Sequence, residues 1–394
     1  MISPSLFRRL AVLLTAVALV TCDTGTADSP GSAHTGYTSP YTLVPDGPVD
    51  KVILFIGDGM SFAQLTAGRI ARHGVTRRLS IERMPVTGYI YTHALDELIT
   101  DSAAGATAMA TGFKTRNGMI AMLPDGTRVR TVLEAAEAGG RATGVVATSS
   151  VTHATPAAFV AHVETRKNET EIARQMVESP VDVILGGGRH FFVPQSIADS
   201  RRDDDLDLVA AARANGFRYV DSPAALADAD GERLLGLFKM DALRGDSDEP
   251  SLAEMTRKAI TTLDRDPDGF FLMVEGSQVD WGGHDNDRDY VVRELLALED
   301  AVEAALEYAR EDGRTLVVVT ADHETGGMAI EGGEMAGGSV EADWTSGSHT
   351  AIPVPVFAYG PGALRFMGVQ DNTAIARHIG TALGARDFPE SIAP

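Results

Sequence analysis

The run Lys51-Val52-Ile53-Leu54-Phe55-Ile56, which ends at Gly57, is a short and nearly continuous apolar stretch. Such a run is typical of a strand that is buried on both faces. Similar runs recur along the chain at Ala142–Thr148, Val181–Leu185, Phe270–Val274, Thr315–Thr320 and Val354–Tyr359. Helical patterns lie between most of them, at Val129–Ala138, Glu169–Val177, Ser251–Leu263, Tyr290–Arg310 and Thr373–Leu383. This alternation predicts an α/β fold with a mainly parallel central sheet sandwiched by helices.

The composition limits the size of the fold and the kind of partner. The chain has 394 residues, of which 44% are hydrophobic, and this length suits one large domain or two ordinary ones. Its net charge of −21 repels nucleic acid and anionic membrane surfaces at long range, which argues against both as specific partners. An anionic substrate would therefore need a strong local positive field.

The first 45 residues carry targeting and linker patterns. Residues 1–21 combine Arg8-Arg9 with the apolar run Leu10–Val20, which is too short to span a bilayer and is typical of a secretory signal peptide. We therefore expect an exported protein, either periplasmic or extracellular. Residues 22–45 are rich in Ser, Thr, Gly and Pro, which predicts a flexible N-terminal linker. One folded domain without evident internal repeats is expected over residues 46–394.

The single cysteine, Cys22, follows the signal directly and excludes a disulfide within the chain. Two interpretations remain open at this position. Cys22 resembles the lipidated cysteine of a bacterial lipoprotein, which would anchor the protein to the membrane. Alternatively, it is a chance cysteine behind an ordinary signal peptide.

The region from about Arg189 to Pro250 contains charge clusters such as Arg201-Arg202-Asp203-Asp204-Asp205. A run of this kind is typical of a solvated face or a helix cap. We therefore expect no functional site there.

Residues of the types that bind metals follow four of the predicted strands. They are Asp58 after the first strand, His153 and Thr155 after the second, Glu275, Asp280 and His284 after Phe270–Val274, and Asp322 and His323 after Thr315–Thr320. Ligands of open α/β sheets bind beyond the carboxyl ends of the strands. Each residue alone has a simpler explanation, such as a turn aspartate in Gly57-Asp58-Gly59 or a loop histidine at His349. Their recurrence at strand ends favours a polynuclear metal site.

The donor types sort the candidate ligands. Carboxylates and imidazoles without thiolates suit a catalytic zinc, whereas all-oxygen sets of Asp, Thr and Glu suit magnesium. Asp280 and His284 are spaced like two ligands on one helix face, but Gly282-Gly283 between them favours a loop.

The stretch T-D-S-A-A-G-A-T-A-M-A-T-G at residues 100–112 places Ser102 at the start of an Ala-rich helix. A serine there is commonly just a cap or first-turn residue. The same position also favours an anion, because unpaired N–H groups and the helix dipole point towards it. A nucleophilic role for Ser102 therefore depends on the residues around it.

Six ordered motifs together resemble the alkaline phosphatase family, over nearly the whole chain from about Lys51 onwards. They are V-I-L-F-I-G-D-G-M at 52–60, T-D-S-A-A-G-A-T-A at 100–108, T-H-A-T-P-A-A at 152–158, V-E-G-S-Q-V-D-W-G-G-H at 274–284, T-A-D-H-E-T-G-G at 320–327 and G-S-H-T at 347–350. The resemblance implies a secreted, metal-dependent phosphomonoesterase whose catalytic domain covers residues 46–394.

The resemblance also implies the roles of single residues. Ser102 would be the nucleophile that forms a phosphoserine, and Arg166 would clamp two phosphate oxygens. One zinc would be bound by Asp280, His284 and His349, and a second by Asp58, Asp322 and His323. One magnesium would be bound by Asp58, Thr155 and Glu275. His153 and Trp281 would lie near the bound phosphate.

Phosphoryl transfer is accelerated mainly by positioning and by positive charge around the phosphoryl oxygens. Two neighbouring metals can lower the pKa of the attacking hydroxyl and stabilise the leaving oxygen. Three divalent ions and Arg166, set against four carboxylates, leave a local charge of about +3. This charge favours monoester dianions over diesters.

The chain departs from the enterobacterial members of the family at two positions, where His153 and Trp281 replace Asp and Lys. His153 could bring nitrogen close to the third metal, which leaves the identity of that metal open. Only 25 residues separate His323 from His349, so a crown-like insertion must be minimal and the homodimer that it often supports stays open.

Two other classes of protein are alternatives. A phosphodiesterase, sulfatase or phosphoglycerate mutase of the same metal-dependent superfamily is the nearest enzyme, but Ser102 together with Arg166 favours the monoesterase. A phosphate- or metal-binding lipoprotein without catalysis is disfavoured because the nucleophile, the ligands and Arg166 are all present.

Overall fold

The computed structural model describes residues 39–385 and 387–392. The predicted signal peptide at residues 1–21, Cys22 and residues 23–38 of the predicted linker lie outside the described residues. Strands within them are β1 (Lys51–Gly57), β2 (Val86–Tyr91), β3 (Arg128–Val129), β4 (Ala142–Ser150), β5 (Val183–Gly187), β6 (Arg218–Val220), β7 (Leu234–Leu237), β8 (Phe270–Gly276), β9 (Thr315–Thr320), β10 (Glu324–Thr325), β11 (Met328–Gly333), β12 (Val340–Trp344), β13 (His349–Thr350), β14 (Val354–Tyr359), β15 (Gly368–Asp371) and β16 (Ser391–Ile392).

The α-helices are α1 (Phe62–His73), α2 (Ser102–Thr111), α3 (Val132–Ala138), α4 (Ala154–Val160), α5 (Glu169–Glu178), α6 (Leu208–Ala214), α7 (Pro223–Ala227), α8 (Leu252–Leu263), α9 (Val279–His284), α10 (Arg288–Asp312) and α11 (Thr373–Ala382). Short 3-10 helices lie at Ile81–Arg83, Arg189–Phe191 and Ala363–Phe366. None of the described helices combines the length and apolarity needed to cross a lipid bilayer.

One large sheet organises the domain, with the strand order β15-β2-β14-β9-β1-β8-β4-β5-β7-β6. Its neighbouring strands pair in parallel, except that β14 runs antiparallel to both β2 and β9. Residues Val52–Ile56 of β1 are fully buried, as expected for a strand in the middle of a sheet that is covered on both faces. The predicted mainly parallel sheet is confirmed.

Two groups of helices flank the sheet. Helices α1, α8 and α9 pack on the long helix α10, whereas α2, α3, α4 and α11 pack on one another. All ten residues of α2 are buried, so its Ala-rich sequence reflects close packing. A Cβ on Gly105 would lie 3.2 Å from Asp322 Cβ, which shows how closely the segment after β9 approaches this helix.

The short outer strands of the sheet were not predicted from the sequence. The edge strands β15 and β6 have weak patterns because they are buried only in part. The neighbouring β2 is buried at alternate positions, and β7 is fully buried but only four residues long. The charged cluster at residues 201–205 was predicted to be solvated, which is wrong for Arg202. Its guanidinium is 3% exposed and donates to the Asp204 carboxylate and to the Phe191 carbonyl.

The predicted start of the domain at Asp46 is a few residues late. Tyr41 lies in the predicted linker but is buried, and its ring packs edge-on against Tyr359 of β14, with centroids 5.3 Å apart. Ser39 Oγ donates to the Arg83 carbonyl at 2.6 Å. Both contacts hold residues 39–41 against the domain, and the polar composition around Tyr41 gave no sign of them in the sequence.

The segment between His323 and His349 is compact, as expected for a minimal crown. It contains the two-stranded β11–β12 ribbon, whereas β10 pairs with β13 at the base of the segment. The pairing of Thr325 with His349 brings both ends of the segment back to the same place.

Candidate active site

The candidate site begins where the central strands end. The parallel register places Ile56 of β1 beside Glu275 of β8 and Thr320 of β9. Asp58 follows β1, and its N–H donates to the Gly276 carbonyl at 3.1 Å. Three carboxylates from separate parts of the sequence therefore meet at the carboxyl ends of neighbouring central strands. They are Asp58, Glu275 and Asp322.

Asp280, His284 and His349 come together as the first set of candidate ligands. Nε2 of His284 lies 3.3 Å from Asp280 Oδ1, and Nε2 of His349 lies 3.4 Å from the same oxygen. The two Nε2 atoms are 3.2 Å apart. Asp280 and His284 both lie on helix α9, so the prediction of a loop around Gly282-Gly283 is wrong. Glycine suits this helix because a Cβ on Gly283 would lie 2.9 Å from the Thr325 carbonyl oxygen.

Asp58, Asp322 and His323 form the second set. Nε2 of His323 lies 3.5 Å from Asp58 Oδ1 and 3.2 Å from Asp322 Oδ2, and all three side chains are fully buried. The His323 ring stacks on the His349 ring with centroids 3.5 Å apart. The first and second sets therefore adjoin each other.

The third set of candidate ligands contains Asp58 and Glu275 together with Thr155. His153 lies next to this set. Ligand atoms of Asp58, His153 and Glu275 lie within 4.8 Å of one another. Thr155, at the start of α4, is fully buried, and its Oγ1 has no hydrogen-bond partner among the described residues. The structure thus brings Asp58, Glu275 and the His153 imidazole to the same place, and Thr155 follows two residues after His153.

The donor atoms of these sets fit cations. Among the described residues, the buried polar atoms without a hydrogen-bond partner include both Asp58 carboxylate oxygens, Glu275 Oε1, Asp322 Oδ2, Thr155 Oγ1 and His153 Nδ1. A buried polar atom without a partner is costly. Their concentration in one place is explained if they bind metal ions.

The pKa shifts agree with a site that is built for cations. Burial, and then the charges of Asp322, Asp280 and Glu275, raise the pKa of Asp58 well above its ordinary value. Burial also raises the pKa of Glu275 to about 7 and that of Asp322 to about 6. These carboxylates repel one another in the absence of a positive partner, and divalent ions would favour their ionised forms.

The imidazoles are suited to act as ligands. Burial lowers the pKa of His323 well below its ordinary value and that of His153 to about 3. Both shifts favour the neutral rings. In His323 this leaves a nitrogen lone pair for a metal, whereas in His153 the lone pair on Nε2 faces the Arg166 guanidinium, which can only donate. The His349 ring is oriented by its Nδ1, which lies 2.8 Å from the Thr100 carbonyl oxygen, so that Nε2 is directed to Asp280.

Ser102 occupies the first turn of α2, as predicted. Asp101 is the N-cap, and its Oδ1 accepts from Ala104 N–H at 2.9 Å. Ser102 Oγ lies 3.4 Å from His323 Nε2, beside the second ligand set. The hydroxyl is thus held at the positive end of a helix and next to the candidate metal ligands.

Arg166 is held from two sides. Its Nη1 donates to Asp101 Oδ2 at 3.1 Å, and its Nη2 lies 2.9 Å from His153 Nε2. Trp281 lies beside the same histidine, with its ring edge-on and the centroids 6.3 Å apart. Asp101 was not singled out from the sequence as a site residue. The T-D-S pattern marked it only as an acidic residue before a helix.

A family model described as alkaline phosphatase matches residues 49–342. The chain belongs to the alkaline phosphatase family. It is 35% identical over 424 residues to alkaline phosphatase 3 of Bacillus subtilis, which covers 85% of this chain and 89% of that relative. The expected family and the expected enzyme class, phosphoric monoester hydrolases, are thereby confirmed.

Solved structures of the family share the fold. Alkaline phosphatase from the Antarctic bacterium TAB5 superposes with a TM-score of 0.78 at 36% identity, over 86% of this chain and 100% of that one. A variant of the TAB5 enzyme, with Mg bound in its M3 site, superposes with a TM-score of 0.77 at 34% identity, over 89% of this chain and 100% of that one. The expected fold class is confirmed.

Proposed function

We propose that this chain hydrolyses phosphate monoesters through a phosphoserine at Ser102, in a site that holds two zinc ions and one magnesium ion. The observation that carries the proposal is the position of Ser102 Oγ, at the positive end of α2 and 3.4 Å from His323 Nε2. A serine that served only as a cap would not need to lie among buried carboxylates and imidazoles.

The three ligand sets support the metal assignment. Asp280, His284 and His349 would hold one zinc, and Asp322, His323 and Asp58 the other. Asp58, Thr155 and Glu275 offer only oxygen, which suits magnesium. When bound, the metals supply positive charge that favours the alkoxide of the nucleophile and stabilises charge on the leaving oxygen.

His153 stands where the enterobacterial members of the family have Asp, and it bears on the identity of the third metal. Its Nδ1 is unpartnered within the described part of the chain, but it could offer a lone pair near Glu275 and Asp58 only if Nε2 gave up its contact with Arg166, because the guanidinium needs Nε2 as an acceptor. We nevertheless propose magnesium there, because two carboxylates and a hydroxyl dominate the set.

Within this arrangement the protein's own residues act on the phosphoryl group. Ser102 Oγ loses its proton and forms a bond to phosphorus, while the bond to the ester oxygen breaks and the leaving alcohol takes up a proton. Water then attacks the phosphoserine, which restores the serine hydroxyl and releases inorganic phosphate. Arg166 and the N–H groups at the start of α2 would bind the non-bridging oxygens throughout.

The charge of the site supports monoesters as substrates. Arg166 and three divalent ions, set against the four carboxylates, leave about +3 before Ser102 ionises. A monoester dianion gains more from this charge than a diester, which carries one negative charge fewer. The acidity of the rest of the chain does not prevent binding, because these local charges are closer to the substrate.

Replacement of the nucleophile tests this proposal. Ser102→Ala should lose nearly all turnover of p-nitrophenyl phosphate while it keeps its fold and metal content, because only one hydroxyl is removed. Thr111→Val is the matched control, since it removes another buried hydroxyl from the same helix, one that donates to Thr107 O. Acid quenching with labelled substrate should trap phosphate on serine in wild type and in the control. A stable label on another residue type would contradict the proposal.

We also propose that the protein is exported, on the strength of the signal pattern at residues 1–21. Mass spectrometry of the mature N-terminus would test this and would distinguish a lipid-modified Cys22 from an unmodified one. An intact residue 1 on the protein in its native host would contradict export by this signal.

A further inference from the structure

The side chain of Asn117 bonds to the backbone immediately before the nucleophile. Its Oδ1 accepts from Asp101 N–H at 2.9 Å, and its Nδ2 donates to the Ile99 carbonyl at 3.0 Å. These two backbone groups flank Thr100. One amide therefore uses its acceptor and one of its donors to fix a three-residue segment that has no regular secondary structure.

That segment supports several parts of the site. The Thr100 carbonyl holds His349 through Nδ1 at 2.8 Å. The Asp101 carboxylate caps α2 through Ala104 N–H and receives Arg166 Nη1 at 3.1 Å. Ser102 follows directly. A shift of this backbone would therefore change the position of the nucleophile relative to the guanidinium.

The residue after Asn117 extends the same connection to Arg166. Gly118 N–H donates to Asp101 Oδ2 at 3.0 Å, and the Gly118 carbonyl accepts from Arg166 N–H at 2.7 Å. Gly118 has φ +86°, a conformation that glycine adopts without strain. Asn117-Gly118 therefore bonds both to the segment that leads into Ser102 and to the backbone of Arg166.

We propose that Asn117 is a positioning residue that sets the geometry between Ser102 and the phosphate-binding guanidinium of Arg166. It touches neither the nucleophile nor the guanidinium, and acts through Asp101 and the adjoining backbone. The inference rests on the proposed function of Arg166. Its consequence is that binding of phosphate depends on Asn117, although its amide bonds to backbone groups of Ile99 and Asp101.

The test measures phosphate binding in variants loaded with zinc and magnesium. Inorganic phosphate is the probe, through its inhibition constant against p-nitrophenyl phosphate and its calorimetric dissociation constant. Asn117→Ala should raise both constants about five- to tenfold, the size of losing roughly one net hydrogen bond. Asn215→Ala is the matched control, because that amide also donates to a backbone carbonyl, Val177 O at 3.0 Å, but in another part of the fold. Both constants should stay at the wild-type value in the control.

A double-mutant cycle separates positioning from simple stabilisation. If Asn117 acts through Arg166, then Asn117→Ala in an Arg166→Ala background should change phosphate binding by less than twofold. An equal factor in both backgrounds would overturn the proposal. So would a lowered Tm with unchanged phosphate binding, because that result describes a residue that only stabilises a turn.

A second variant keeps the test open if Asn117→Ala does not fold. Asn117→Asp retains the acceptor for Asp101 N–H but loses the donor to Ile99. At high salt, which screens the added charge, it should weaken phosphate binding by at least twofold but less than the alanine variant. Unchanged binding would overturn the proposal. Wild-type turnover tests the proposed function separately, and calorimetry reports on Asn117 without turnover.

Discussion

Gly59 matters to both the fold and the candidate site because it has no side chain. It follows Asp58 with φ +75°, and a Cβ built on it would lie 2.6 Å from Asp280 Cα and 2.9 Å from Asp280 N. The Gly59→Ala variant therefore pushes a methyl group against the backbone of α9, which carries Asp280 and His284. Helix α9 cannot yield by rotating a side chain, because the clash is with its main chain.

The size of the effect follows from two separate costs. An alanine at this φ costs about 1–2 kcal/mol of folding free energy. Ordinary van der Waals contact begins at 3.4 Å, so Asp280 must also move by about 1 Å, and a misplacement of that size can reduce catalysis roughly 100-fold. Gly313→Ala isolates the first cost, since Gly313 has φ +73° and a Cβ there meets nothing within 4 Å.

The assay compares the two variants with wild type at saturating zinc and magnesium. Both should lose a few degrees of Tm. Only Gly59→Ala should lose about 100-fold in kcat/KM for p-nitrophenyl phosphate, and its apparent zinc affinity should fall because one ligand set is displaced. Equal activity of the two variants, with both folded, would refute the argument that the Asp280 backbone needs the space left by Gly59.

Further expectations concern the metals, the phosphate and pH. Prolonged chelation should abolish turnover, and zinc with magnesium should restore it better than either metal alone; full activity of a preparation shown to be metal-free by elemental analysis would contradict the metal assignment. Trp281→Lys should lower the inhibition constant for inorganic phosphate by adding a charge-assisted contact near His153, and unchanged inhibition would show that residue 281 does not face the phosphate. Burial raises the pKa of Glu299 from 4.5 to about 7, so the folded state holds this proton more tightly than the unfolded state and stability falls as pH rises through that window. Glu299→Gln should flatten the decline of Tm over this range, and an unchanged slope in thermal melts would contradict a role for Glu299.

The centre of the sheet was accessible from the sequence because its strands are buried on both faces. The predicted bounds of β9 and β14 match the structure, and β1 is only one residue longer than predicted. Strand β15 could not be found in the same way, because Val369 is 51% exposed and the pairing of β15 with β2 depends on tertiary contacts. The predicted helix at Ser251–Leu263 also matches, with Ser251 as its N-cap.

The site residues that could be predicted are metal-binding types that directly follow a strand. Residues whose role depends on contacts with the folded backbone could not be predicted in this way. Asp58, Glu275 and Asp322 meet because β1, β8 and β9 are neighbours. Asn117 carries no comparable signal, since an Asn-Gly pair is ordinarily a turn, and its bonds to Ile99 and Asp101 exist only in the folded chain. Arg166 required the resemblance, because in sequence it lies in a polar stretch with no pattern of its own.

The single reversed strand β14 has a consequence for how this architecture can vary. Because β14 runs opposite to β9, the chain leaves the sheet at Asp322-His323, beyond the carboxyl end of β9. It re-enters the sheet after His349, at the same end of the strands. The residues between these points therefore begin and end beside the candidate site, where Thr325 pairs with His349. The β11–β12 ribbon packs on α1, where Gly338 N–H donates to the Ala71 carbonyl, so a change in its length would be taken up at that helix and not in the sheet.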